Sequence, residues 1–182
     1  MAVMASEALL TRADRDALPE DGRRHELLDG AIVVTPSPGL AHQDVVTRLA
    51  AQLLDALDGS DLLVLTGPFD VVLSESTVVA PDLVVARRSD FTARDLPVAP
   101  LLVVEVRSRS TATIDAVVKR ELYERAGVPS YWLVDPAGPA ITVLELVDGR
   151  YAQVARATAG EAIEVGTPAP MRLTPARWLT NV

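Results

Sequence analysis

Two stretches of the sequence, DLVVA at 82–86 and LLVVEV at 101–106, are apolar at consecutive positions rather than alternate ones. A strand with one face in water alternates, whereas runs like these fit strands covered on both faces. The chain is therefore expected to build an α/β or α+β fold, a mixed central sheet with helices on its faces and additional β-hairpins. Each run also carries one carboxylate, Asp82 in the first and Glu105 in the second. A carboxylate in such surroundings is costly unless something neutralises it.

The flanking pattern agrees with a layered sheet. Thr11 is placed to cap a short helix that Pro19 stops. HELLDGAIVV (25–34) reads as two extended runs joined by Asp29-Gly30, a strong hairpin signal. From Ala41 to Leu57 the apolar residues recur at helical spacing, and Gly59 follows the end. LLVLT (62–66) and FDVVL (69–73) are β-rich, and SYWLVD (130–135) is another buried strand in which Tyr131 and Trp132 fit core packing. TATIDAVVKRELYERAG (111–127) reads as a helix capped by Thr111. ITVLELVDGRYAQVA (141–155) reads as a hairpin turning at Asp148-Gly149.

With 182 residues and 49% hydrophobic composition, the chain can bury a proper core as one domain spanning 1–182. Residues 1–22 form a helical lead-in and 137–182 a β extension. Aromatics are only 4%, so Val, Leu and Ala must supply the core. There is no cysteine, hence no disulfide framework and no thiolate metal site. No apolar run reaches membrane-spanning length, and MAVMASEALLTRADRD lacks a signal-peptide layout, so a cytoplasmic location is expected. The net charge of −8 argues against a protein that coats nucleic acid non-specifically, though it leaves room for a local contact.

Asp82 opens its run and Glu105 lies near the end of the other. In antiparallel strands start faces end, so the two carboxylates become neighbours. In a parallel pair they would stand on the order of 15 Å apart. The connection RRSDFTARDLPVAP is polar and turn-like, which favours the antiparallel case. Two adjacent carboxylates repel unless a divalent cation holds both, and oxygen ligands without Cys or His point to Mg2+ or Mn2+. Downstream, Asp115 and Lys119 share a helix face, and the long lysine stem reaches back toward the Glu105 strand. There an ammonium would orient a nucleophile or offset phosphate charge. By spacing alone the pair reads better as an exposed helix ion pair of small worth.

Taken together, PD at 81–82, EVRSRST at 105–111, Asp115 and Lys119 resemble the Uma2 family of the restriction-endonuclease-like PD-(D/E)XK superfamily. HELLDGAIVVTPSP (25–38), HQDVVTRLAAQLL (42–54) and ELYERAGVPSYWLVDP (121–136) extend the likeness over nearly the whole chain. The resemblance implies a Mg2+-dependent DNA endonuclease, with the ion held by Asp82, Glu105 and the Val106 carbonyl. It implies Glu26 as a third carboxylate near the metal, although strand alternation alone fits a solvent-facing residue as well. Lys119 takes the catalytic lysine's role from the helix. The superfamily places its lysine two residues after the glutamate, where this chain has Arg107, a side chain unable to act as a base. Arg109 stands where the family often has proline, and adds a candidate phosphate contact beside Arg107. His42 matches the His of the family's H-Q pair and is a candidate substrate contact, or else a surface or capping residue. DNA is the implied substrate, and a homodimer is implied for cutting both strands. The alternative is a catalytically inactive nuclease-fold module retained for DNA or protein binding.

Overall fold

Thr11 caps α1 (Arg12–Asp16) through a reciprocal pair of bonds with Asp14, which satisfies amide donors that a helix start leaves bare. A computed structural model describes this chain at residues 9–108 and 114–178, the side chains of 114–116 excepted. β1 (Arg24–Leu28) and β2 (Ala31–Thr35) form the expected hairpin. Asp29 and Gly30 take φ of +48° and +79°, the left-handed pair that a two-residue turn between twisted strands requires. α2 (Leu40–Ala56) carries a buried stripe of Val45, Val46, Leu49, Ala50 and Leu53.

The chain then gives β3 (Leu62–Thr66), β4 (Asp70–Ser74), β5 (Thr77–Val79), β6 (Leu83–Arg87), β7 (Asp95–Leu96) and β8 (Leu102–Val106). A π-helical stretch, Ile114–Lys119, runs into α3 (Arg120–Ala126), which Gly127 closes in the left-handed conformation. β9 (Ser130–Asp135), β10 (Ala140–Val147) and β11 (Arg150–Thr158) follow as a meander, and β12 (Ile163–Val165) pairs with β13 (Met171–Leu173).

These strands make a central six-stranded sheet in the order β11-β10-β9-β8-β6-β3 and a second, five-stranded sheet in the order β2-β1-β5-β4-β7. Within the central sheet, β8 and β9 run parallel and β6 and β8 antiparallel. The runs 82–86 and 101–106 thus supply β6 and β8, in the middle of a mixed sheet. One face of that sheet packs on α2, the β12–β13 hairpin and Trp178. Its other face packs on α3 and the second sheet, through Leu28, Val71, Val79 and Leu96. Both faces are covered, as consecutive apolar residues demand. Helices lie on both faces as expected, α2 on one and α3 on the other, and beside α3 that layer is completed by a second sheet. Its β5 and β7 have three and two residues, too short to show alternation in a sequence.

Two of the chain's crossings between the sheets adjoin each other. Gly67-Pro68 leads from β3 to β4, and Ala80-Pro81-Asp82 leads from β5 to β6. Proline suits such a switch because it has no N–H to leave unpaired. The Gly67 N–H donates to the Asp82 carbonyl at 2.9 Å. A Cβ at Gly67 would lie 2.6 Å from the Pro81 carbonyl oxygen, so no larger residue fits without movement. Among the described residues, no helix is long and apolar enough to cross a membrane.

Candidate active site

The seam between the sheets is where the charged residues gather. β6 and β8 pair with Leu83 opposite Val104, and one step along that register sets Asp82 opposite Glu105. Asp82 is buried. Its Oδ2 accepts the Val106 N–H at 2.8 Å and lies 3.0 Å from His42 Nε2, in the first turns of α2. Arg24 Nη1 stands 3.7 Å from its Oδ1. Burial pushes the Asp82 carboxyl up, but the His42 bond and charge, the Val106 N–H and Arg24 outweigh it and hold the group below its ordinary range. An ionised carboxylate only accepts, so His42 Nε2 is the donor in that pair. His42 Nδ1 is buried without a hydrogen-bond partner.

Glu105, 1% exposed, points to the second-sheet side. Its Oε1 accepts from Lys119 Nζ at 3.0 Å and from the Tyr123 hydroxyl at 2.8 Å. Burial first, then the Glu105 charge, raises the Tyr123 hydroxyl well above its ordinary value, so it remains a donor. Lys119 Nζ also lies 2.9 Å from Glu26 Oε1 on β1. Glu26 Oε1 accepts the Ala80 N–H at 2.8 Å, and its Oε2 accepts the Thr35 hydroxyl at 3.1 Å. Arg24, two residues before Glu26 on the same strand face, donates to the Ala80 carbonyl at 3.1 Å. The polar backbone of the crossing segment is thereby satisfied by side chains from β1.

Asp82, Glu105, Val106, Lys119, Glu26 and His42 therefore meet in one place. Arg107 donates its backbone N–H to Val134 at 2.7 Å, and its Nε is buried without a partner. Arg109, Thr111 and the Asp115 side chain lie outside the described residues, and so does the Asp115–Lys119 pair. Sequence reasoning missed Arg24. For Arg24 the available signal was its spacing of two from Glu26. A further overlooked signal concerns Lys119: of the 17 lysine and arginine residues, it alone is a lysine.

Asp82, Glu105 and Val106 line a small cavity of about 80 Å³. Asp82, Arg24 and His42 also line a neighbouring cleft of about 1120 Å³, walled by the Pro36-Ser37-Pro38 loop. Among the described residues, no three His, Cys, Asp or Glu side chains are grouped so as to hold a metal. Mg2+ asks for less, because one or two carboxylates suffice when water and substrate phosphate complete its octahedron. Two oxygen donors on one small cavity fit that requirement.

The fold is similar to that of a solved protein described as a "putative nuclease belonging to DUF820" from Anabaena variabilis ATCC 29413. The two are 16% identical, with a TM-score of 0.72 over 93% of this chain and 97% of that one. No curated protein matches the sequence. The sequence pattern of the Uma2 family, described as "Putative restriction endonuclease", matches residues 12–176. With the match running from α1 to the end of β13 and beyond, this chain belongs to the Uma2 family.

Proposed function

We propose that the chain is a Mg2+-dependent endonuclease that hydrolyses phosphodiester bonds in DNA. The observation that carries this reading is the pairing of Asp82 and Glu105 on one small cavity beside the larger cleft, with a buried ammonium 3.0 Å from Glu105. Asp82, Glu105 and the Val106 carbonyl would hold Mg2+, or Mn2+ in its place. Such an ion supplies Lewis-acid stabilisation of phosphoryl charge and eases deprotonation of an attacking water.

The remaining work falls to side chains. Lys119 sets a point charge on Glu105, which lines the cavity, and from there it offsets charge growing on the phosphoryl oxygens. Tyr123 donates to the same Glu105 oxygen as Lys119, so the anion does not turn away. His42 and the Val106 N–H orient Asp82. Arg24, at the rim of the cleft, is placed to meet the backbone of an incoming strand. Cutting a duplex on both strands takes two such sites, supplied by a second copy of the chain.

Supercoiled plasmid DNA in Mg2+ gives the test. Asp82→Asn and Glu105→Gln each lower the cleavage rate by about 10²-fold or more, with the folded state retained by circular dichroism. Nicking that is equal in wild type and both variants would overturn the reading. One observation favours a second reading, an inactive binding module: Lys119 bridges Glu105 and Glu26 and so offsets part of the charge that would attract a dication. In that case titration calorimetry with Mn2+ gives no heat, while DNA retention on a filter persists.

A further inference from the structure

Every other member of the 17 lysine and arginine residues carries a guanidinium; position 119 alone carries an amine. An ammonium is a compact point charge that serves two carboxylates at once, where a planar fork would not. Lys119 is 2% exposed, and its two acidic partners differ in position. Glu105 lines the small cavity together with Asp82. Glu26 lines neither that cavity nor the larger cleft. Its Oε1 receives Lys119 and the Ala80 N–H, and its Oε2 receives the Thr35 hydroxyl. Those three contacts engage both of its oxygens, and the residue is 2% exposed.

We propose that Glu26 is a positioning residue for Lys119 and is not a ligand of the metal, in place of the ligand role that the family resemblance implies. It holds the ammonium against Glu105 at a fixed height above the seam. The assignment of Lys119's chemistry rests on the nuclease reading above, but its anchoring by Glu26 is a separate matter with its own readout. A Glu26 that served only to receive the Ala80 N–H would be replaced without loss by glutamine, whose carbonyl oxygen accepts the same bond.

The test uses the purified full chain and Glu26→Gln. Because Lys119 is the single lysine, trinitrobenzenesulfonate labels it alone apart from the N-terminal amine, and peptide mass separates the two. In the wild type Lys119 is protected; in Glu26→Gln it labels about tenfold faster, because a buried charge has lost one of its partners. Plasmid cleavage by Glu26→Gln falls about 10²-fold in kcat with KM near its wild-type value, and Mn2+ affinity by calorimetry stays within about twofold. A loss of Mn2+ affinity comparable to that of Asp82→Asn overturns the proposal while leaving the nuclease reading intact. A wild type that binds no Mn2+ and cuts nothing overturns the nuclease reading, and the labelling comparison then decides the anchor by itself: faster labelling supports it, unchanged protection sinks it. If Glu26→Gln does not fold, wild-type labelling with and without saturating Mg2+ replaces it. Protection kept within about twofold supports the anchor, and a tenfold rise, as expected if the ion drew Glu26 away, refutes it.

Discussion

At position 119 the difference in shape between two cations fixes what a charge-conserving substitution does. Lys119→Arg keeps a positive charge but forces a planar guanidinium into a buried slot already bounded by Glu26, Glu105 and Tyr123. The expected outcome is a drop in plasmid cleavage of about 10²-fold, measured at saturating Mg2+, together with a lower thermal midpoint. Activity equal to wild type would show that only charge matters there. At this scale the sequence was informative where a residue violated its surroundings. Asp82 and Glu105 stood out because carboxylates inside apolar runs are expensive. Tyr123 and Arg24 broke no rule, since a tyrosine in a helix and an arginine in an edge hairpin are ordinary. Their partners lie across the seam, 18 residues away for Tyr123 and Glu105 and 56 for Arg24 and Ala80, and no local pattern carries such distances.

Among the elements, the two adjoining crossings at Gly67-Pro68 and Ala80-Pro81 govern where Asp82 stands. Gly67 holds the Asp82 carbonyl and leaves room for Pro81. Gly67→Ala is expected to cost about 1–3 kcal/mol in urea denaturation, because its methyl group meets backbone and not a yielding side chain. Since Asp82 would shift with the strand start, Mn2+ affinity falls along with stability. A variant that loses stability but binds Mn2+ as wild type does would show the crossing to be independent of the site. The hairpin at Asp29-Gly30, the stripe of α2 and the doubly covered β6 and β8 were all legible, because each has a period or a turn chemistry of its own. β5 and β7 had neither. They are strands because neighbouring strands offer them hydrogen-bonding edges, and that information lies in the tertiary structure.

For the whole molecule, α1 acts as a clasp on the second sheet. Arg15 makes a bidentate pair with Asp70 on β4, at 2.6 and 2.9 Å, and donates to the His25 carbonyl on β1. Arg12 pairs with Asp95 on β7, which also accepts the Thr92 hydroxyl at 2.7 Å. The Thr92 bond, and after it Arg12, outweigh burial and hold the Asp95 carboxyl below its ordinary 3.8. A carboxyl depressed by folding stabilises the native state above its unfolded pKa, and that contribution vanishes as pH falls through the lower folded value. The difference in thermal midpoint between wild type and Asp95→Asn is therefore expected to be present at pH 7 and to shrink toward zero as pH falls below the ordinary aspartate range. A gap that stays constant across this range would refute the linkage.

Glu26 belongs to one sheet and Glu105 to the other, and Asp82 opens the strand that enters the second of them from the first. Neither half alone assembles the cluster. A nascent chain emerging from the ribosome, or one partly unravelled by heat, carries all of these acidic side chains but not their juxtaposition. On the nuclease reading proposed above, cutting power is withheld until tertiary assembly is complete.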